Sequence, residues 1–418
     1  MPSARPGQAV WKMVQSPAVI FALALAIRLW ALSRILPDKA WQFFYQYNEF
    51  AHIAAAVASG HGYCSPWANT PLAPTAVEPP VYAYLLAGIF KLAGVYSYAS
   101  LWIAVGLNAL LSATTAVLIL RMGARIFGSA TGVLASWVWS CWLYEAAVSV
   151  RLWESSLAAL LLMIGLLLVS ELDASLRRSH WLLFGLIAGI AGLTNTTLLS
   201  VFPLFWLWLW IAYSRRKQSC SRPLLASIAV FLLTLFPWTI RNYVTFGRLM
   251  PIRDNFGLEL WLGNHEGVTH QFDSDFPILN PTEYNRLGEI HFMESKRQIA
   301  LQFIARHPLA FLRGSSRRMF QFWTLPQDSA WAWISLLAWL GLVLALRNWK
   351  HNAVPSAIVM VVFPLVYYVT HTFPTYRHPM ESVVLLLASY AVIQLLQVAT
   401  ARLRAVRPGM PTPGARTA

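Results

Sequence analysis

Ser16 to Leu36 reads SPAVIFALALAIRLWALSRIL, a run whose only charges are Arg28 and Arg34. A soluble helix gathers its apolar side chains into one stripe, whereas this stretch is apolar nearly all round. The same holds for ESVVLLLASYAVIQLLQVA, Glu381 to Ala399. Along the chain the apolar residues fall in blocks of roughly 16 to 22, the length that crosses a hydrocarbon core as a helix. With 57% hydrophobic and 12% charged residues among 418, the fold class is an all-α polytopic membrane protein.

The formal net charge of +15 raises nucleic acid as a partner. The basic residues, however, are spread over loops and form no single interleaved basic and aromatic face, which excludes that class. Their distribution follows the positive-inside rule. Clusters at Arg5 and Lys12, Arg121 and Arg125, Arg177 and Arg178, Arg215 to Arg222, Arg347 and Lys350, and in the tail from Arg402 are all assigned to the cytoplasmic side.

Parity then decides two ambiguous segments. Trp181 to Tyr213 has basic loops at both ends, so it crosses an even number of times, as a hairpin turning near Thr194 to Thr197. Pro79 to Gly94 is short and lies between Pro and Gly breakers; a further crossing there would put Arg121 and Arg125 outside, so it is read as an interfacial or re-entrant helix. About ten crossings result, centred near residues 26, 110, 140, 161, 189, 205, 232, 339, 362 and 390, with both termini cytoplasmic. The first run lacks a small-residue cleavage site and is read as a retained helix. The expected organisation is a membrane core over 1–240 that includes an outer loop at 37–98, an outer segment over 241–330, C-terminal spans over 331–400 and a cytoplasmic tail over 401–418. Cys64, Cys141 and Cys220 fall at different levels of this map, so no disulfide is expected.

The polar residues gather on the outer side. In YNEFAHIAAAVASGHGY, Tyr47 to Tyr63, Asn48 is a helix N-cap and Glu49 a first-turn acid, with His52 on the same face. Glu49 is either a helix-start carboxylate or a functional one; a carboxylate beside a membrane surface is costly and points to function. With His52 it supplies two ligands toward a divalent metal, short of a full set; no cofactor is assigned. Glu78, before Pro79 and Pro80, is either a solvated residue ahead of a break or a carboxylate that binds substrate. Glu145, Arg151 and Glu154 sit at the mouth of a hairpin, where Arg151 and Glu154 either pair with each other or mark a substrate path.

Arg241 and Asn242 emerge where a span ends, a depth at which a guanidinium suits a phosphate headgroup. Asn264 and His265 lie in a Gly-bounded turn with groups for sugar recognition. Glu283 to Thr324 has the pattern of amphipathic helices lying on the membrane, basic toward anionic lipid. Finally HTFPTYRHPMES, His371 to Ser382, places Tyr376, Arg377, His378 and Glu381 at an outer turn before the last span, with Arg377 as a phosphate ligand.

In order along the chain, NEFAHIAAAVASGHGY, APTAVEPPVYAYLLAGIFKLAGVYS, RLWESSLAALLL, PWTIRNYVTFGRLMPIRDNFG, LWLGNHEG and TYRHPMES resemble the bacterial glycosyltransferase family 39 branch of the GT-C superfamily. These are membrane transferases dependent on polyprenyl-phosphate sugars, among them the protein O-mannosyltransferases and lipid A aminoarabinose transferases. The likeness runs from Ala26 to about Tyr390.

It implies a catalytic acid in the first outer loop, which falls on Glu49, and a basic residue before the final span, which falls on Arg377. Where many members carry an Asp or an Asp-Glu pair before an aromatic, this chain has Gln46 and Tyr47 before Phe50. The implied donor is a polyprenyl-phosphate-linked sugar, the acceptor a lipid, glycan or protein, and the location the bacterial inner membrane, among membrane lipids.

One carboxylate suffices for such chemistry. A glycoside needs a general acid to leave, but a sugar on polyprenyl phosphate departs from an already stabilised phosphate. What remains is a base for the acceptor and cations for the departing charge: Glu49 as base, Arg241 and Arg377 as clamp. The alternative from another class is a secondary transporter or lipid flippase with Arg151, Glu154 and Arg377 lining its path; the internal repeats common in transporters are not evident.

Overall fold

The computed structural model describes residues 6–35, 48–67, 70–268, 281–324 and 329–406. Gln46, Tyr47, Arg5 and the end of the tail lie outside the described residues. Among those described the chain is helical, with one isolated bridge between Cys64 and Pro74. Helix α1 (Pro6–Val14) leads into α2 (Pro17–Ile35). The first loop holds α3 (Glu49–Ala58) and α4 (Pro80–Ala93). Next come α5 (Tyr98–Ile126), α6 (Ser129–Cys141), α7 (Leu143–Ser149) and α8 (Ser155–Leu172). The hairpin α9 (Arg178–Thr194) and α10 (Phe202–Arg215) turns through a 3-10 element at Thr196–Ser200, as parity required. After α11 (Ser221–Phe246) follow α12 (Phe256–Gly263), α13 (Pro281–Leu287), α14 (Glu289–Arg306) and α15 (Pro308–Trp323). The chain ends with α16 (Ser329–Val362), α17 (Leu365–Val369), a 3-10 turn at Pro374–Arg377 and α18 (His378–Val406).

Helices stand at all the expected centres. Among the described residues 8 stretches are long and apolar enough to cross a membrane. The other two are shorter: α6 has 13 residues and α9 has 17. Helix α6 stops because Trp142 adopts extended backbone before α7, and α9 stops where Asn195 does the same before its turn. At 1.5 Å per residue α6 alone reaches about 20 Å, less than a hydrocarbon core.

The stretch from α16 through α17 holds two of the spans, Ala330–Asn348 and His351–Val369. Ser335 receives a hydrogen bond from Arg377, while Tyr367 stacks on the neighbouring Tyr376. A straight helix would separate Ser335 from Tyr367 by about 48 Å. The two spans therefore fold back on each other and return Tyr367 to the end of the bundle from which Ser335 started.

Small residues set the closest crossings. A Cβ on Gly123 of α5 would lie 2.4 Å from the Cα of Gly132 in α6, and one on Gly132 would lie 2.5 Å from Leu120 O. Only glycine admits this backbone approach, the usual device where helices pack without water to drive them. At one end of the bundle Arg125 donates to Ser170 O, Arg216 pairs with Asp173, and His351 Nε2 lies 2.9 Å from both Asp173 oxygens. Loops assigned to one side by their basic residues thus meet at one end. The first loop and the 250–265 segment meet at the other, where Arg241 donates to Thr75 O at 2.7 Å and Trp238 to Ile252 O at 2.8 Å.

Candidate active site

Asn48 begins the site. Its side-chain oxygen accepts from Ala51 N at 2.9 Å, capping α3 as expected, and its amide donates to Leu152 O at 2.6 Å. One residue therefore sets the helix start and ties it to the turn before α8. That tie brings Glu49, in the first turn of α3, toward Glu154, at the cap of α8. Glu49 Oε1 accepts from Trp67 Nε1 at 3.2 Å, and its Oε2 is buried with no hydrogen-bond partner. Glu154 Oε1 accepts from Asn195 Nδ2 at 3.0 Å, and its Oε2 is likewise buried and unpartnered. Two carboxylate oxygens without donors are costly to bury and mark where a ligand's donors would fit.

Glu78 is the third carboxylate. Tyr63 Oη donates to the carbonyls of Glu78 and Pro79, which fixes the loop before the two prolines. Arg253, in the loop between α11 and α12, donates from Nε to Val77 O at 3.0 Å and places Nη2 3.3 Å from Glu78 Oε1 and 3.6 Å from Glu259 Oε1. Glu259 also accepts from Asn255 Nδ2 at 2.7 Å and lies 3.1 Å from His371 Nδ1. Glu49, Glu78, Glu154 and Glu259 all act electrostatically on this one guanidinium and on one another.

Burial decides the protonation of three of the four acids. It pushes Glu49 and Glu154 up to about 7 and Glu78 up to about 8, in each case against the opposing pull of Arg253. Burial acts on Glu259 too, but His371 and Arg253 outweigh it and hold that carboxyl down at about 2. The cluster thus contains a fixed anion beside its cation and acids poised to exchange a proton near neutrality, the range that general acid-base work requires.

The remaining sequence candidates fall elsewhere. His52 Nδ1 faces the Tyr96 hydroxyl at 3.3 Å while Glu49 accepts from Trp67, so the two side chains take separate partners. Among the described residues no group of three His, Cys, Asp or Glu side chains is placed to hold a metal. The Arg151 side chain is exposed, and Glu154 pairs with Asn195 instead of with it. Arg241 donates to Thr75 O, Tyr63 O and Asn242 Oδ1 and stacks over Trp238, tying α11 to the first loop. Asn242 holds Met250 O and Ile252 O.

Asn264 donates to Val369 O and accepts from Arg318, and His265 stacks on Trp261. Arg377 is buried between Trp331 and Trp323, paired with Glu381 at 2.5 and 2.8 Å and donating to Ser335. His378 Nδ1 lies 2.5 Å from Glu145, in the same core. Tyr376, in the same turn, is within electrostatic reach of Glu259, Arg253 and Glu49.

Sequence reasoning missed Arg253, Glu259 and His371. Arg253 stands in the same stretch as Arg241, and His371 opens the same stretch as Arg377. In each pair the residue nearer the span was preferred; the signal that separates them is which partner leaves a buried carboxylate unbalanced, and that appears only on folding.

Residues 77–240 match the family described as dolichyl-phosphate-mannose-protein mannosyltransferase. No curated protein sequence matches the chain. The fold is similar to that of ArnT from Cupriavidus metallidurans bound to undecaprenyl phosphate, with a TM-score of 0.51 at 14% identity, over 96% of this chain and 64% of that one. It is also similar to the oligosaccharyltransferase AglB of Archaeoglobus fulgidus in complex with an inhibitory peptide and a dolichol-phosphate, with a TM-score of 0.56 at 11% identity, over 95% of this chain and 52% of that one. The chain therefore spans less than two thirds of the length of these structures, and what it shares with them across nearly its whole length is the GT-C fold.

Proposed function

We propose that this GT-C-fold membrane protein moves a sugar from a polyprenyl-phosphate donor to an acceptor at the outer face of a bacterial inner membrane, with both termini in the cytoplasm. The observation that carries the reading is Arg253 at one end of the bundle, 3.3 Å from Glu78 and within electrostatic reach of Glu49 and Glu154. Glu49 is the base: its Oε2 has no donor and its pKa lies near 7, so it takes the proton of an acceptor hydroxyl or amine as the new bond to the sugar forms. The bond between the sugar and the phosphate oxygen breaks, and polyprenyl phosphate leaves with the electron pair.

Arg253 takes the role that the sequence suggested for Arg241 and Arg377. It remains cationic at any pH of interest, and its contacts with Glu78 and Glu259 hold it beside the carboxylates. The family match and the ArnT complex with undecaprenyl phosphate support the donor class; AglB, seen with both a peptide and a dolichol-phosphate, supports an acceptor that meets a lipid phosphate on one fold. The test is transfer by the purified protein in proteoliposomes, offered a panel of radiolabelled polyprenyl-phosphate sugars with an envelope extract as acceptor. Label moved into the extract supports the reading; a folded protein that moves none from any donor overturns it.

A further inference from the structure

The first outer loop is joined to the segment after α12 by a buried carboxylate that the reaction above does not use. Glu289, which opens α14, accepts from Thr75 Oγ1 at 2.5 Å, from Ala76 N at 2.6 Å and from the Tyr284 hydroxyl at 3.0 Å. These bonds clamp α13 and α14 onto the loop. Tyr284 then meets the Trp67 ring edge to face, with ring centres 5.0 Å apart, in an apolar patch that includes Val77, Leu258 and Phe292. Trp67 in turn donates from Nε1 to Glu49 Oε1 at 3.2 Å, and among the described residues this is the one side-chain hydrogen bond that Glu49 receives. An indole carries one N–H and no acceptor, so the direction of this bond is fixed whatever the protonation of its neighbours. With Oε1 held, Oε2 is the oxygen left buried without a partner.

We propose that Trp67 is a positioning residue for the base: its N–H holds one oxygen of Glu49 and leaves the other, Oε2, to take the acceptor's proton, while α13 and α14 hold the indole in place. The inference rests on the transferase reading and adds to it the group that aims its base. A hydrogen bond to a carboxylate is stronger when the carboxylate is ionised, so Trp67 favours the form that burial opposes. The other titratable and charged groups that act on Glu49 are Glu259, Arg253, Glu78, Glu154 and Tyr376. A packing role and a hydrogen-bonding role differ in sign. Loosening the loop would hydrate Glu49 and bring its pKa down toward the ordinary carboxylate range, whereas removing the N–H alone takes support from the ionised form and moves it up.

The test uses the full chain in proteoliposomes, wild type beside Trp67→Phe, which keeps an aromatic ring near Tyr284 and lacks the donor. Two midpoints are measured from about pH 5 to pH 9. One is the acidic limb of kcat/KM with the donor that wild type accepts. The other is labelling of Glu49 by dicyclohexylcarbodiimide, which reacts with protonated carboxyls in apolar surroundings, read by peptide mass spectrometry. Both are expected to rise by about one pH unit in Trp67→Phe, the scale of a hydrogen bond to a charged group. That rise lowers kcat/KM about fivefold at pH 7 and far less at pH 9, with the donor KM little changed. Either midpoint staying in place or falling overturns the proposal, whatever the yield of folded protein. Should Trp67→Phe not fold, Trp67→Leu, which also lacks the donor, decides by the same two midpoints. Unmoved midpoints in a protein whose wild type moves sugar sink this inference alone; wild type that moves none from any donor sinks the transferase reading with it.

Discussion

Arg253 Nη2 lies 3.3 Å from Glu78 Oε1, with the guanidinium arriving from the 250–260 loop and the carboxylate from the first loop. This contact joins two segments far apart in sequence, and it places the one cation that balances the acids of the site. Removing one partner of a largely buried pair leaves the other uncompensated. Arg253→Met is expected to cost about 3 kcal/mol in stability and to raise the donor KM, whereas Arg253→Lys keeps the charge and recovers most of the stability. Thermal unfolding in detergent beside donor titration checks both; a stable variant with unchanged donor KM would remove Arg253 from the phosphate site.

The raised carboxyls make a pH prediction with a definite sign. A base must be ionised, so kcat/KM is expected to rise with pH through about 7, where burial places Glu49. A pH profile with no acidic limb in that range contradicts the assignment.

Stability runs the other way. The folded pKa of Glu78 lies near 8, above its unfolded value of about 4.3, so its contribution is fully present below the unfolded value and is lost as pH rises through about 8. The midpoint of thermal unfolding is expected to fall between about pH 5 and pH 8, and Glu78→Gln is expected to flatten that fall. An equal slope in the variant would show that Glu78 is not the group responsible.

Arg377 and Glu381 offer a separation of structure from function. Buried together beneath Trp331, they are expected to matter as a pair: Arg377→Met alone should lower the yield of folded protein sharply, and Arg377→Met with Glu381→Met should restore much of it. If the double variant folds and transfers sugar, Arg377 is structural; if it folds and transfers none, the phosphate role that the sequence suggested for Arg377 returns.

The crossing of α5 and α6 can be tested without touching the site. Gly123→Ala puts a methyl against the Gly132 backbone, which cannot give way as a side chain would, and is expected to cost about 1–3 kcal/mol. A variant as stable as wild type would mean that the helices can separate at this point.

Much of the fold was legible because the bilayer imposes it. Apolar runs, breakers and the basic loops placed helices at every expected centre, and parity alone identified the Trp181–Tyr213 hairpin. What it missed was length: nothing in the sequence announces that Trp142 leaves the helix, or that Asn195 ends α9 early. The site was legible where a residue's local position settles its role, as with the Asn48 cap and Glu49 behind it. It was not legible where tertiary partners decide. Arg241 and Arg377 look available in the sequence and are consumed by backbone carbonyls and by Glu381, while Arg253 and His371 look incidental and meet the buried acids.

The most direct test compares the two carboxylates of the Arg253 cluster that keep an unpartnered oxygen, measuring single-turnover sugar transfer by Glu49→Gln and Glu154→Gln in proteoliposomes with both proteins shown to be folded. A loss on the order of 10³-fold is expected for Glu49→Gln, within the range for a general base, and a much smaller loss for Glu154→Gln. Near-normal transfer by Glu49→Gln with the loss moved to Glu154→Gln would contradict it and assign the base to Glu154.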